Sequence, residues 1–84
     1  MPTISSFYGI IILMHLTSKE HNPPHIHALY KNYAAAIELA TGDVIDGNLP
    51  PSKVRLVKEW VNNHREELEE MWQSQVFKKI DPLK

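Results

Sequence analysis

Histidine is the most chemically versatile residue type in this sequence, and three of the five histidines lie in one short segment. This histidine segment reads His21-Asn22-Pro23-Pro24-His25-Ile26-His27, and its two prolines restrict the backbone before the second histidine. An imidazole titrates near neutral pH and binds divalent metals through a ring nitrogen. The segment therefore suits either proton transfer or metal binding.

A metal site is the first interpretation of this spacing. If residues 25–30 form a strand, His25 and His27 point to the same face about 6.7 Å apart along the strand. Two such rings can share a zinc ion at about 2.0–2.1 Å, with His21 as the third ligand and Glu20 or Glu38 to complete the set. The sequence is thus compatible with zinc held by His21, His25 and His27.

Two metal-free interpretations stay open beside it. His25 and His27 can divide the roles of general base and general acid, with His64 as a third catalytic candidate because the helix pattern turns it toward the sheet. Alternatively, the rings are partly solvated, bond to backbone groups and bind nothing. His64 is equally consistent with a core histidine bonded to a nearby carbonyl.

Candidate binding residues lie elsewhere in the chain. Lys53, Arg55 and Lys58 place positive charge at the start of the predicted helix, which opposes the helix macrodipole. This indicates docking of a protein partner or an RNA phosphate, although an ordinary solvated charged face explains it too. Tyr30 is the candidate for stacking on a base, with Tyr33 across a predicted turn.

The strands that must position these residues follow from alternation and breakers. The apolar run Ile10–Met14 predicts a central strand covered on both faces, beginning irregularly at Ile4, with Gly9 as a bend. Strands are predicted over 25–30 and 33–39, separated by a Lys31-Asn32 turn. A short edge strand at Val44-Ile45 would be closed by Asp46-Gly47-Asn48.

The long helix is the clearest element of the pattern. Its start is predicted at Pro50-Pro51-Ser52, where proline is tolerated and serine caps well. Apolar positions then recur at intervals of three and four, with His64 among them; they are Val54, Val57, Val61, His64, Leu68 and Met71. Residues 76–80 could add a short final strand.

These elements predict an α+β fold in which an antiparallel meander of three to four strands packs against one long C-terminal helix. The 84 residues suffice for a single domain, 1–84. The absence of cysteine excludes disulfides and thiolate zinc sites. A net charge of −1 lacks the field of a non-specific nucleic-acid binder, and we expect a cytoplasmic protein without a membrane partner.

Motifs in three places are shared with a known family. They are Pro2-Thr3-Ile4-Ser5 with Phe7-Tyr8-Gly9-Ile10, the histidine segment, and Val57-Lys58-Glu59-Trp60 with His64-Arg65. In this combination the chain resembles the short bacterial proteins of domain of unknown function 4160, from Met1 to Leu83. That family has no established activity, but its genes often stand beside another small gene, which implies a partner protein and a toxin-antitoxin-like pair.

The sequence therefore leaves three functional hypotheses. The first is an interaction module of a two-gene bacterial system that binds a small neighbouring protein through a sheet edge or the charged helix. The second is a small histidine-dependent RNase or phosphoesterase, with or without metal. In the third, the histidine segment only fixes the first hairpin. Whether the chain is an enzyme, binds RNA or self-associates is left open by the residues.

Overall fold

The computed structural model describes residues 3–14 and 23–83. Five strands and one helix follow one another in the chain, and the strands pair antiparallel in the order β1-β2-β3-β4-β5. Their bounds are β1 Thr3–Phe7, β2 Ile10–Leu13, β3 His25–Tyr30, β4 Tyr33–Glu38, β5 Val44–Asn48 and α1 Pro51–Ser74. His15, Glu20 and His21 lie outside the described residues. The α+β class is as predicted, but the described sheet has five strands rather than three to four.

The additional strand is β1. Tyr8 (φ 50°) and Gly9 (φ 79°) both adopt positive φ, which is the geometry of a tight two-residue hairpin turn. Phe7 consequently pairs with Ile10, and residues 3–7 form a strand of their own instead of an irregular start to the next one. The prediction of a single bent strand was wrong because tyrosine is not a typical turn residue.

The strand β2 is not covered on both faces as expected. Ile10 and Ile12 are buried in the core, and on the other face Leu13 is buried too, whereas Ile11 is 41% exposed, so the prediction fails at Ile11 alone. The sheet therefore has a buried face against α1 and an open face, which we define by Ile11, His27, Leu29 and Ala34.

The edge strand β5 is longer than predicted. It continues through Asp46-Gly47-Asn48, the residues expected to end it. A register shift between Ala36 and Ile37 interrupts the β4–β5 ladder, and Gly47 passes close to β4 with φ 73°. A glycine inside a strand can thus mark a close backbone approach rather than a turn.

The helix α1 encloses the core. Its buried side chains share one core cluster with buried residues of β1, β2, β3 and β4, and they are Val57, Trp60, Val61, Leu68 and Met71. The helix begins after Pro50 without a side-chain cap, so Ser52 lies inside it. His64 departs from helical geometry (φ −123°, ψ 20°), which divides α1 into two halves.

Residues 75–83 form no strand. The amide of Ile80 nevertheless donates to the carbonyl of Ile4 at 2.8 Å, and Ile80 is buried. Nearby, Trp60 Nε1 donates to the Asp81 carbonyl at 2.8 Å. This terminal segment therefore lies along the outer edge of β1.

The antiparallel order gives the sheet two ends, which we call the hairpin end and the histidine end. At the hairpin end lie the β1–β2 turn, the β3–β4 turn and the start of α1. At the histidine end β3 begins, β4 ends and the second half of α1 passes. A six-residue strand separates them by roughly 17 Å. Helical structure in the described ranges lacks the combination of length and apolar character needed to cross a bilayer.

Candidate functional site

His25 and His27 form a close pair on the open side of β3. Their neighbours in the strand, Ile26 and Ala28, face the core, so the alternation places both histidines on the opposite face of β3. The His25 ring, at the first residue of the strand, also reaches Trp72 of α1. The ring centres are 5.0 Å apart and inclined at 63°. Two imidazoles that bind one tetrahedral ion at about 2.0–2.1 Å have ring centres roughly 5 Å apart, so the pair has the spacing of a two-nitrogen ligand set.

The proline pair fixes the state of His25. Its Nδ1 lies 2.9 Å from the carbonyl oxygen of Pro23, and a carbonyl only accepts hydrogen bonds. In the neutral ring Nδ1 must therefore carry the proton, which leaves the lone pair on Nε2. A histidine held in this way is oriented as a metal ligand or a general base.

A second set of bonds fixes the backbone on which His25 stands. The amide of Leu39 donates to the Pro24 carbonyl at 2.9 Å, and the Leu39 carbonyl accepts from Arg65 Nε at 2.8 Å. Arg65 also bonds to Asn62 on its own helix. The start of β3, the end of β4 and the middle of α1 are thereby joined at the histidine end.

Arg65 gives a direct test of this junction. Replacing it with glutamine removes a charged donor from a carbonyl of a buried residue, and we expect a loss of about 1.5–3 kcal/mol in the free energy of unfolding. Urea denaturation measures the change. Arg55→Gln is the matched control, because Arg55 is exposed and makes no ion pair within residues 3–14 and 23–83; equal losses would contradict the assigned role.

Trp72 and Glu38 flank the pair. The Trp72 ring centre lies 5.0 Å from that of His25, inclined at 54°, and Glu38 is the cross-strand partner of His25. The Glu38 carboxylate accepts from Thr41 Oγ1 at 3.0 Å. The position of Trp72 four residues after Leu68, on the apolar face of the helix, is the sequence signal that it reaches the sheet.

The neighbouring surface is a shallow concavity beside His27. It has a volume of about 130 Å³ and is lined by His27, Asp46 and the small residues between them. His27, Ala36 and Asp46 lie in one cross-strand row. His27 and Asp46 thus lie two strands apart with Ala36 between them, and Asp46 Oδ1 accepts from the Gly47 amide at 3.0 Å.

His64 belongs to a different environment. Its ring centre is 5.4 Å from that of Trp60, and Nδ1 lies 3.1 Å from Glu67 Oε1. Its partner is thus a carboxylate on its own helix rather than the expected carbonyl. Trp72 is the helix residue that contacts His25, and His64 lies about 12 Å from it along the axis of α1. The structure therefore brings together His25 and His27, and it places His64 in another cluster.

The carboxylate of this second cluster has a shifted pKa. The hydrogen bond with His64 chiefly, and also the positive charges of His64 and Lys78, hold the pKa of Glu67 below its usual 4.5, although desolvation opposes them. Lys78 Nζ lies 3.7 Å from Glu67 Oε2. Folding therefore favours the ionised form of Glu67.

The sign of this shift predicts a pH dependence. A depressed folded-state pKa contributes stability above the unfolded value near 4.5, and the contribution is lost as pH falls through the folded value. Because Glu67 is half-exposed, Glu67→Gln should cost less than about 1 kcal/mol at pH 7. Thermal unfolding from pH 7 to pH 3 should show the stability difference between wild type and Glu67→Gln shrinking as the pH falls. The control Glu66→Gln, which removes an exposed carboxylate, should be as stable as wild type at pH 7.

The structure describes two of the three predicted zinc ligands, His25 and His27. His21 lies outside the described residues, and within residues 3–14 and 23–83 no three His, Asp or Glu side chains gather closely enough to hold a metal ion. His25 and His27 can supply two nitrogens.

The predicted binding residues are dispersed. Lys58 pairs with Asp43 at 2.9 Å, and Arg55 is exposed on the first turns of α1. Lys53 lies over the ring of Tyr30, with Nζ 4.9 Å from the ring centre. Lys53 and Tyr30 thus stand at the hairpin end, away from His25 and His27.

Two comparisons with known proteins gave no match, one with curated proteins and one with solved structures. A family model does match. It covers residues 9–73, a range that includes the described histidines, all strands but β1 and nearly all of α1. The chain therefore belongs to the family described as Domain of unknown function (DUF4160).

Proposed function

We propose that this chain is a protein-binding module, one component of a two-gene, toxin-antitoxin-like system in the bacterial cytoplasm. Its partner is the small protein encoded beside it, which contributes an extended segment to the free edge of β5. The resemblance to the family implies a small neighbouring gene, which supports the two-gene setting. The observation that carries the binding mode is the difference between the two edges of the sheet.

Within residues 3–14 and 23–83, one edge of the sheet is covered by another segment and the other edge is not. Along β1, the terminal segment donates from the Ile80 amide to the Ile4 carbonyl and buries Ile80. Along β5, no strand among the described residues pairs with the outer side. Proteins usually cover or disrupt exposed edges because these bind other chains. The register shift between Ala36 and Ile37 interrupts the β4–β5 ladder locally, but the described residues leave the outer side of β5 uncovered, and such an edge suits strand addition by a partner.

The side chains of β5 fit that use. Four of its five residues are exposed, and Ile45 has 45% of its surface accessible. Val44 meanwhile packs against the core, which fixes the strand. A partner strand would gain backbone hydrogen bonds along β5 and an apolar contact at Ile45, while the Asp46 carboxylate favours a basic residue opposite it.

The test is coexpression with the neighbouring gene's product. We expect the two proteins to copurify, growth to change when one is expressed alone, and Ile45→Glu to abolish copurification. Ile11→Glu is the matched control, because Ile11 is exposed to a similar degree but lies inside the sheet. If the two wild-type proteins do not copurify and neither affects growth, the proposal is contradicted. If Ile45→Glu and Ile11→Glu reduce copurification equally, the partner contacts the open face of the sheet rather than the edge of β5.

A second candidate function is favoured by the pair His25 and His27. The Nε2 lone pair of neutral His25 and the 5.0 Å ring spacing suit phosphoester cleavage, either by shared acid-base roles or through a metal-activated water. The basic residues expected to steady phosphate do not all support it, since Lys53 stands at the opposite end of β3.

This candidate has its own measurement. His25→Ala with His27→Ala should abolish zinc uptake in isothermal titration and any cleavage of a labelled RNA, while thermal stability stays near wild type. If zinc uptake, cleavage and partner binding are all unchanged, the pair has no such role. If only stability falls, the segment serves the hairpin alone.

A further inference from the structure

A cluster of aromatic and basic side chains occupies the hairpin end, separate from both sites described above. We define this tyrosine-lysine patch by Tyr8, Tyr30, Lys31, Tyr33 and Lys53. The β1–β2 turn supplies Tyr8, the β3–β4 hairpin supplies three residues and the start of α1 supplies Lys53. Three elements distant in sequence therefore converge on one surface.

The rings form an ordered surface. Tyr30 and Tyr33 stack with ring centres 6.5 Å apart and planes inclined at 24°. Tyr33 is 42% exposed and Tyr8 is 54% exposed. Gly9 lets the β1–β2 turn lie close to Tyr30 of the β3–β4 hairpin, because a Cβ at position 9 would lie 3.3 Å from Tyr30 Cε1. Tyr33 thus presents an exposed ring beside Tyr30, and Tyr8 presents another exposed ring on the neighbouring β1–β2 turn.

Both lysines are held at these rings. Lys53 Nζ lies 4.9 Å and Lys31 Nζ 5.4 Å from the centre of the Tyr30 ring. Neither forms a salt bridge with a carboxylate in the described part of the chain, unlike Lys58 and Lys78, which pair with Asp43 and Glu67. Two positive charges therefore remain available next to the stacked rings.

The backbone adds an independent observation. Lys31 (φ 52°) and Tyr8 (φ 50°) both occupy the left-handed region, where glycine or asparagine is preferred and a long side chain carries a conformational cost. Positions that could have held a turn residue carry instead a cation and an aromatic ring of the same patch. Positive φ is the geometry of two-residue hairpin turns, and the presence of lysine and tyrosine at these turn positions places both side chains at the hairpin end.

We propose that the tyrosine-lysine patch binds single-stranded nucleic acid, with bases stacked on Tyr33 and Tyr8 and phosphates held by Lys31 and Lys53. Aromatic rings accept any base by stacking, and adjacent cations neutralise the backbone. The small number of lysines and the net charge of −1 fit a local contact rather than a long groove. A duplex hides its base faces, so it cannot use the rings in this way.

Fluorescence anisotropy with labelled 12-nucleotide oligouridylate and oligodeoxythymidylate tests the proposal, with a duplex of equal length alongside. We expect saturable binding of a single strand, weaker binding of the duplex, and a slope of about −1.4 in log affinity against log salt for two phosphate contacts. The two single-stranded probes distinguish RNA from DNA as the ligand. Tyr33→Ala should weaken binding about fivefold or more.

Lys53→Gln should weaken binding and reduce the salt slope by about 0.7. The control Lys79→Gln removes an equal charge from an exposed residue of the terminal segment and should change neither. Lys31→Gly separates binding from folding, since relief of the positive φ should raise the melting temperature while affinity falls. A merely structural Lys31 would leave affinity unchanged.

Three outcomes would overturn the proposal. They are the absence of saturable binding to either single strand, preference for the duplex, and equal losses in Lys53→Gln and Lys79→Gln. If Tyr33→Ala instead prevents copurification of the protein partner while wild type binds no oligonucleotide, the patch is a protein interface. Ile45→Glu should leave oligonucleotide binding intact, so this inference and the proposed function can fail separately.

Discussion

Replacing Trp60 with alanine is expected to lower the free energy of unfolding by about 3–5 kcal/mol. Trp60 is fully buried, its ring centre lies 5.6 Å from that of Phe7, and its indole N–H is bonded to the Asp81 carbonyl. The change leaves a cavity between α1 and β1 and an acceptor without its donor. The loss is comparable with the whole stability of a domain this small. Urea denaturation followed by circular dichroism measures it.

Two companion variants divide the effect. Trp60→Phe keeps an aromatic ring but removes the N–H, and we expect it to cost about 1–3 kcal/mol. Trp72→Ala removes the other tryptophan, which is only half-buried and contacts His25, so its cost should be distinctly smaller. If Trp72→Ala proved as costly as Trp60→Ala, the core would be centred at the histidine end instead.

Replacing Gly47 with alanine is the second large expected effect. An added Cβ would lie 2.2 Å from the Ala34 carbonyl oxygen and 3.1 Å from the Ala35 Cα, both backbone atoms of the adjacent strand. Neither can move without separating β5 from β4, and the residue also has φ 73°. We expect a loss of about 3 kcal/mol or more, and with it the loss of partner binding at β5. Chemical denaturation and copurification measure the two effects.

Gly9→Ala is the matched control for this change. Gly9 has a similar φ of 79°, but the nearest atom to its added Cβ is Tyr30 Cε1 at 3.3 Å, in a side chain that can shift. The cost should be about 1–2 kcal/mol, mainly from the left-handed backbone. Equal costs at both positions would show that backbone strain, rather than the contact with β4, determines the effect at Gly47.

Local patterns predicted much of this fold. The strand predicted over 25–30 is found at His25–Tyr30, and the helix spans Pro51–Ser74 as the spacing of its apolar residues indicates. Both elements depend on periodicity within one segment. By contrast, β1 and the full length of β5 depend on a turn with tyrosine at positive φ and on a glycine beside a neighbouring backbone, neither of which has a clear local signature.

In the candidate site, too, the local pattern predicted some features and tertiary structure determined the others. That His25 and His27 share a face follows from the two-residue period of a strand. The contact of Trp72 with His25, and the proton that Pro23 fixes on Nδ1, depend on tertiary positions that the period does not contain. For His64, the helix pattern predicted a direction toward the core, but its partner Glu67 lies on the same helix.

The order of the strands has a consequence for the speed of folding. Every strand pairs with its neighbour in the chain, and three of the four connections have only two to five residues, so most steps of sheet formation cost little chain entropy. The bond between Ile80 and Ile4 is the exception, because it joins residues near opposite ends of the sequence. It should form late and open early, so that the Ile80 amide exchanges its hydrogen faster than the amides of the central strands. Brief opening of this bond would leave both edges of the sheet accessible at once, and fast reclosure is then the protection against self-association.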